Sequence, residues 1–178
     1  KDTITALATP EGKGGLSVIR VSGPNALAII SAVFVPVNKR KQSLIPWHAR
    51  SGWLYDPVSG QTVDEVIVLF FKAPKSYTGE DLLEISCHGN PLISSHILDI
   101  IISQGARPAL PGEFTRRAFE NGRIDLSQAE AVAQVTGAES EKATHAALRL
   151  LKGGLSNPVN EIRDHVFRLL TAIELDLD

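Results

Sequence analysis

The stretch TPEGKGGLSVIRVSG, from Thr9 to Gly23, decides the fold of the first part of the chain. It places glycines around a lysine, as a phosphate-binding loop does, but a Walker loop needs Ser or Thr after the lysine and then a helix. Here Gly14 follows Lys13, and a β-branched run follows Gly15. The stretch therefore predicts a turn between two strands, and we exclude GTP or ATP binding by this segment.

Alternating strand and helix signals extend from this turn to about residue 122. Segments rich in β-branched and aromatic residues predict strands in TITALATP, LSVIRVSG, GWLYD, VDEVIVLFF and DLLEISCHG. The turn residues PVSG between the third and fourth of them indicate an antiparallel hairpin. Helical spacing predicts helices in NALAII, PLISSHILDIIISQG and TRRAFENG, with Ser22 as the cap of the first. We predict an α+β fold with a mixed, largely antiparallel sheet and flanking helices.

A second, all-helical pattern begins near residue 123. Ser127 and Glu130 match the capping-box pattern at a helix start, and Asp125 is an alternative cap. Apolar residues then recur along one stripe of the last predicted helix, and such a stripe needs a partner surface. We predict a first domain at residues 1–122 and a partial all-α helical domain at residues 123–178.

The composition is that of an ordinary globular protein. The chain has 178 residues, 43% hydrophobic and 21% charged, and its net charge of −2 gives no general attraction for nucleic acid or anionic membranes. The basic run Lys39, Arg40 and Lys41 favours a solvated loop over an RNA-binding patch. The single cysteine, Cys87, excludes an internal disulfide, and the longest apolar run, Val66–Phe71, is too short to span a bilayer. We expect a soluble intracellular protein and, because the sequence starts without Met and stops within a helical pattern, a fragment of a longer one.

Two charged side chains inside strands are candidates for ligand contact. Alternation places Arg20 on the face of its strand opposite the apolar residues, and Glu84 lies in the middle of DLLEIS. Such residues are usually exposed, but an arginine that faces a pocket favours a carboxylate partner, and a carboxylate accepts two N–H donors from a guanidine-like heterocycle. Arg123, after a helix-ending glycine, either reaches a ligand carboxylate or forms a surface ion pair. His88 is a turn residue or, alternatively, a catalytic histidine.

Three stretches of the chain resemble one family. DTITALATPEGKGGLSVIRVSG, YTGEDLLEISCHGN and RPALPGEFTRRAFENGRIDLSQAEAV, in this order and spacing, are similar to the N-terminal domain of the MnmE (TrmE) family of tRNA modification GTPases. The resemblance covers the chain from Asp2 to Asp178. It implies a tetrahydrofolate-binding, homodimer-forming domain of the aminomethyltransferase type for residues 1–122. For residues 123–178 it implies the first helices of a central helical domain.

The resemblance also implies a function, partners and cofactors. Together with an FAD protein of the MnmG (GidA) type, the family modifies carbon 5 of the wobble uridine of certain tRNAs in the cytoplasm, giving carboxymethylaminomethyl or aminomethyl groups. A tetrahydrofolate derivative, 5-formyl-tetrahydrofolate in vitro, supplies the one-carbon unit. GTP hydrolysis, with K⁺ and Mg²⁺, occurs on a G domain whose motifs this sequence lacks, so the chain alone is expected to be inactive on GTP. The family's folate contacts correspond to Arg20, Glu84 and Arg123 here.

Two other functions stay open from the sequence. One is a free-standing aminomethyltransferase-like enzyme, which needs a general acid or base near the folate, with Glu84, Asp81 and His88 as candidates. The other is a pure dimerisation scaffold with a vestigial pocket. Folate binding separates the scaffold from the other two functions, and turnover of a one-carbon unit without partner proteins identifies the enzyme.

Overall fold

The chain forms two compact units, Lys1–Arg117 and Ala118–Asp178. The computed structural model describes residues 1–38 and 43–177, so the predicted loop at Lys39, Arg40 and Lys41 lies outside the described residues. Within them, the first unit contains strands and helices, and the second contains helices. This agrees with the predicted α+β fold followed by helical structure.

The first unit is built on one seven-stranded sheet. Its strands are β1 (Ile4–Leu7), β2 (Leu16–Ser22), β3 (Phe34–Pro36), β4 (Ala49–Tyr55), β5 (Thr62–Phe71), β6 (Leu82–His88) and β7 (Arg107–Pro108), and its helices are α1 (Ala26–Val33), α2 (Pro91–Ser103) and α3 (Glu113–Glu120). The strand order is β3-β4-β5-β6-β2-β1-β7, with short strands at both edges. All neighbours are antiparallel except β1 and β7. The predicted mixed, largely antiparallel sheet and the β4–β5 hairpin are confirmed.

One face of the sheet carries the hydrophobic core. Ile19 of β2 and Ile85 of β6 are fully buried there, and apolar residues of α1 and α2 belong to the same core. Because side chains alternate between the two faces of a strand, the neighbouring Arg20 and Glu84 lie on the opposite face. The fold therefore separates an apolar face, which stabilises the sheet, from a second face that carries charge.

Gly89 allows the turn after β6 to touch the glycine turn before β2. The Gly14 N–H donates to the Gly89 carbonyl at 2.9 Å. A Cβ atom added at Gly89 would lie 2.3 Å from the Gly14 oxygen, so no other residue fits there without a shift of the backbone. Strand β2 begins at Leu16, directly after the glycines. The segment is the predicted strand–turn–strand.

The predicted cap of α1 is wrong. Ser22 ends β2, and its hydroxyl contacts Thr78 Oγ1 at 2.7 Å, so it is not available to the helix. Asn25 occupies the N-cap position without a side-chain capping bond, and Thr3 Oγ1 accepts the Asn25 N–H at 3.0 Å. Ser22 belongs to the strand and not to the helix start because the pairing of β2 with β1 and β6 extends to it.

The part of the second unit that follows α3 begins with a capping box that lies two residues before the predicted one. Its helices are α4 (Leu126–Thr136), α5 (Glu141–Leu151) and α6 (Ser156–Leu177). Asp125 Oδ1 accepts the Gln128 N–H at 2.9 Å, and Gln128 Oε1 accepts the Asp125 N–H at 3.0 Å. The alternative cap Asp125 is therefore confirmed and the Ser127–Glu130 box is wrong, because the Ser127 hydroxyl donates to Asp125 instead.

Helix α6 exposes the apolar stripe that the sequence predicts. At least half of the surface of each of its members is exposed: Val159, Ile162, Val166, Leu169, Leu170 and Ile173. An isolated helix gains little stability from such a stripe unless another surface covers it. Among the residues described, no helix has both the length and the apolar character needed to cross a membrane.

Candidate ligand-binding site

Arg20 and Glu84 face each other across two central strands. They form a direct register pair between β2 and β6, and Arg20 Nε donates to Glu84 Oε1 at 2.7 Å. The side chains are 35% and 25% exposed, so the pair is neither buried nor free in solvent. This charge-assisted hydrogen bond holds both groups on the face opposite the core. The fold thus brings together two of the three residues that the sequence nominates.

Each member of the pair keeps hydrogen-bonding capacity for a ligand. Within the described part of the chain, neither the two Nη atoms of Arg20 nor Glu84 Oε2 has a protein hydrogen-bond partner. A guanidinium only donates and an ionised carboxylate only accepts. A ligand that presents N–H donors near an anionic or carbonyl group therefore matches the pair.

An aromatic ring supports Arg20 from the loop before β6. The centroid of the Tyr77 ring lies 5.6 Å from Arg20 Cζ, within the range of a cation–π contact. The Tyr77 hydroxyl bonds Thr115 Oγ1 of α3 at 2.8 Å. Tyr77 is not among the residues predicted from the sequence. SYTGED has no periodicity, and the contacts of Tyr77 join segments that are far apart in sequence.

A cavity of about 330 Å³ opens beside Arg20. One wall comes from the end of β1, and the other comes from Phe114 and the segment Ala109–Gly112 between β7 and α3. Ala6 is the register partner of Arg20 on β1, so its small side chain leaves room next to the guanidinium. The volume is within the range of small-molecule sites, about 300–1,000 Å³.

A second cavity is larger but chemically poorer. It measures about 510 Å³ and lies between the glycine turn and the start of α2. Among the described residues of its lining, Glu11 is the one that is charged, and the others are Gly12, serines and apolar residues. It therefore offers no cation to an acidic ligand, and we place the candidate site at the Arg20 cavity.

Arg123, the third nominated residue, belongs to the second unit. Its main-chain N–H donates to the Ala118 carbonyl at 2.8 Å. Gly122 before it has φ of 67°, so the chain leaves α3 through a left-handed glycine, as the sequence indicates. A contact between Arg123 and a ligand stays a prediction.

Two other candidate acid–base groups have structural partners. His88 Nδ1 lies 2.7 Å from Asp64 Oδ1, and the other Asp64 oxygen accepts the His88 main-chain N–H. Asp81 pairs with Lys72 Nζ at 2.8 Å and accepts the Ala73 N–H, which closes the loop before β6. Glu84 is the remaining candidate carboxylate. It is hydrogen-bonded to Arg20, which lines the cavity.

Cys87 of β6 lies in the hydrophobic core. It is 1% exposed, and its thiol donates to the Ser17 carbonyl at 3.6 Å. Burial raises the pKa of the thiol to about 11. A buried, protonated thiol is a poor nucleophile, so Cys87 has no part in the site.

Comparison with known proteins identifies the family. The family described as GTP-binding protein TrmE N-terminus matches residues 3–123, and the chain belongs to this family. The tRNA modification GTPase MnmE of Moorella thermoacetica is 49% identical over 178 residues, and the MnmE proteins of Carboxydothermus hydrogenoformans and Thermotoga petrophila are 46% and 45% identical. These matches cover 99%, 100% and 99% of this chain but 38%, 39% and 38% of the relatives. The chain thus spans less than half the length of the curated relatives it matches.

Proposed function

We propose that residues 1–122 are the tetrahydrofolate-binding and homodimerising domain of a tRNA-modifying GTPase, and that residues 123–178 are the first helices of its central helical domain. With an FAD-containing partner of the MnmG type, the whole protein modifies carbon 5 of the wobble uridine of certain tRNAs in the cytoplasm. The observation that carries the ligand proposal is the Arg20–Glu84 pair beside its cavity. The names of the relatives support the tRNA and GTPase parts.

A folate matches the chemistry of this site. Its pterin has a guanidine-like edge of N–H donors, for which Glu84 Oε2 is an acceptor. Its glutamate tail is anionic, and Arg20 or Arg123 supplies the positive charge that it needs. When bound, the folate supplies the one-carbon unit, while the residues of this chain bind and orient it. We assign no acid–base role to the site, because Asp81 and His88 are held by structural contacts and Glu84 is paired with Arg20.

GTP hydrolysis belongs to a different domain in this proposal. Gly14 follows Lys13 where a Walker loop needs a hydroxyl residue, and a strand follows Gly15 where it needs a helix. We therefore expect no GTP hydrolysis by this chain alone, and we assign Mg²⁺ and K⁺ to the G domain of the whole protein.

An apolar patch on the charged face of the sheet supports the homodimer. Val35, Trp53 and Ile67 lie on neighbouring strands β3, β4 and β5, on the same face as Glu84. They are 45%, 40% and 50% exposed. A contiguous apolar patch on a soluble protein marks an interaction surface. We propose that a second copy of the chain covers it.

Calorimetric titration of 5-formyl-tetrahydrofolate tests the folate site. We expect the wild-type chain to bind, and Glu84→Ala and Arg20→Ala each to lose about 2–3 kcal/mol because one charged hydrogen-bond partner is removed. That loss corresponds to roughly 30- to 150-fold in affinity. Asp99→Ala is the matched control, since Asp99 is an exposed carboxylate on α2, which packs on the opposite face of the sheet.

Three results would contradict the proposal. A folded wild-type chain that does not bind the folate would favour a dimerisation scaffold. Turnover of the one-carbon unit by the chain without partner proteins would favour an aminomethyltransferase-like enzyme. Equal weakening in Asp99→Ala and Glu84→Ala would indicate that general charge, and not the Arg20 cavity, determines the affinity.

A further inference from the structure

A buried network of charges lies directly behind the walls of the cavity. Its centre is Glu113, whose side chain is fully buried, and Arg117, whose side chain is 5% exposed. Arg117 Nη2 donates to Glu113 Oε1 at 3.1 Å and to Asp2 Oδ1 at 2.6 Å. Arg117 Nη1 donates to the Asp2 carbonyl at 2.7 Å and to Glu80 Oε2 at 3.1 Å. The network thus joins the segment before β1, helix α3 and the loop that carries Tyr77.

Glu113 fixes the segment that forms one wall. Arg107 donates to both of its carboxylate oxygens, at 2.8 and 2.6 Å, in a bidentate pair. Glu113 Oε2 also accepts the Leu110 N–H at 2.8 Å. One carboxylate therefore holds the segment Ala109–Gly112, which lines the cavity, through the Leu110 N–H and through Arg107, just before the segment. Gly112, at φ 71°, supplies the left-handed turn into α3.

Arg117 anchors the segment on the other side of Arg20. Its partner Glu80 also accepts the Ser22 hydroxyl at 3.0 Å, which ties the loop before β6 to β2. Three residues earlier in that loop, Tyr77 contacts Arg20 and bonds Thr115, which lies on the same helix as Arg117. Helix α3 thus holds both the cavity wall and the aromatic support of Arg20.

Energetics favour a positional role for these charges. Replacing a buried ion pair by apolar residues is often neutral or stabilising, because the desolvation of both charges offsets their attraction. A bidentate Arg–carboxylate pair nevertheless fixes geometry strictly, since the planar fork accepts one arrangement. The main effect of such a network is therefore to fix the positions of Ala109–Gly112 and of the Tyr77 loop, and its contribution to the stability of the fold is smaller.

We propose that Glu113 and Arg117 are positioning residues of the ligand site: they hold Ala109–Gly112 and the Tyr77 loop at the separation that the ligand requires. The inference rests on the proposed folate-binding function. It adds that affinity depends on a buried carboxylate for which no ligand contact is proposed.

Glu113→Gln tests this inference because it keeps the shape and removes the charge. Asp64→Asn is the matched control: Asp64 is another buried carboxylate with three hydrogen bonds, but it holds the end of the β5–β6 ladder. We expect 5-formyl-tetrahydrofolate affinity to fall at least tenfold in Glu113→Gln and less than threefold in Asp64→Asn. Circular dichroism must show both variants folded at the titration temperature.

Amide hydrogen exchange without ligand gives a second, independent readout. We expect the Leu110 amide and the amides around Tyr77 to exchange faster in Glu113→Gln and to keep wild-type rates in Asp64→Asn. If Glu113→Gln does not fold, Arg107→Lys replaces it, since lysine keeps the charge but cannot form the bidentate pair.

The outcomes separate this inference from the folate proposal. Wild-type binding with unchanged affinity and exchange in Glu113→Gln would overturn the positioning role alone. Faster exchange at Leu110 and Tyr77 without any folate binding by the wild type would overturn the folate site and show that the network positions these segments for something else. Equal loss of affinity in Glu113→Gln and Asp64→Asn would overturn the inference in favour of general destabilisation.

Discussion

At the scale of single residues, the candidate site rests on a charge pair that is complete before a ligand binds. Arg20 Nε and Glu84 Oε1 satisfy each other, and the remaining Nη and Oε2 atoms are the ones that a folate would engage. Binding therefore adds hydrogen bonds without breaking this pair, which limits the ordering cost of association. Truncating either residue leaves the other charge without its partner. The loss of folate affinity in such a variant therefore exceeds the contribution of the ligand contact itself.

The carboxyl group of Glu113 couples stability to acid pH. Its side-chain hydrogen bond with Arg107 lowers its pKa from 4.5 to about 2. A carboxyl group with a lower pKa in the folded than in the unfolded state stabilises the fold above pH 4.5, and this contribution is lost as pH falls towards 2. We expect the free energy of unfolding to decrease over this window in the wild type and to decrease less in Glu113→Gln.

Urea denaturation at a series of pH values between 5 and about 2 measures this dependence. Some of the dependence should remain in the variant, because Asp2, hydrogen-bonded by Arg107, also has its pKa lowered to about 2. Identical pH dependence in wild type and Glu113→Gln would contradict the assignment.

The local sequence pattern identifies Arg20 and Glu84 as candidates, but it does not predict that they pair. Alternation within a strand indicates which face Arg20 occupies, and this much follows from local pattern. Its partner lies 64 positions away, and strand register over that distance has no local signal. For the same reason the arginines of TRRAFENGR did not reveal that Arg117 is buried, since its partners Asp2 and Glu80 come from distant segments.

At the scale of secondary structure, the elements that the sequence predicts correctly are those bounded by local turn-forming residues. The β4–β5 hairpin and the start and end of α2 follow from turn residues, a proline at Pro91 and a glycine at Gly105. Strand β7, with two residues, is too short to show a hydrophobic periodicity in the sequence. It forms because the Arg107 N–H donates to the Thr3 carbonyl and the Ala109 N–H donates to the Thr5 carbonyl. Helix caps were ambiguous where two polar residues lie close together, as at Asp125 and Ser127.

Helix α4 offers a direct test of its cap. Asp125→Ala should cost about 1 kcal/mol of unfolding free energy, because the Gln128 N–H loses its acceptor. Glu130→Ala, which removes an exposed residue of the box that the sequence alone suggests, should stay within about 0.5 kcal/mol of wild type. Denaturant unfolding followed by circular dichroism measures both, and a larger cost at Glu130 would indicate that the cap is assigned to the wrong residue.

At the scale of the whole molecule, the sheet has two faces with different tasks. One is covered by α1 and α2 and forms the core. The other carries the Arg20–Glu84 pair and, toward the β3 edge, the apolar patch of Val35, Trp53 and Ile67. The sequence predicted this division through alternation, but not that three exposed apolar residues from separate strands would be neighbours.

The proposed homodimer depends on this patch. Ile67→Asp places a charge within it, and burying an unpaired charge in an interface is costly, so we expect a shift from dimer to monomer of at least tenfold in the dissociation constant. Val58→Asp is the control, because Val58 is 90% exposed in the β4–β5 turn. Sedimentation velocity over a concentration series measures the shift. An unchanged dimer in Ile67→Asp, or a monomeric wild type, would contradict the interface.

The short strands at the two edges of the sheet affect how copies of the protein associate at high concentration. β3 and β7 have three and two residues, and each ends in a proline, Pro36 and Pro108. Proline cannot donate to a further strand, and so short a border offers little template for one. These borders therefore disfavour edge-to-edge polymerisation into open-ended fibrils. The proposed homodimer uses the face of the sheet instead, where a contact between two copies leaves no free edge to extend.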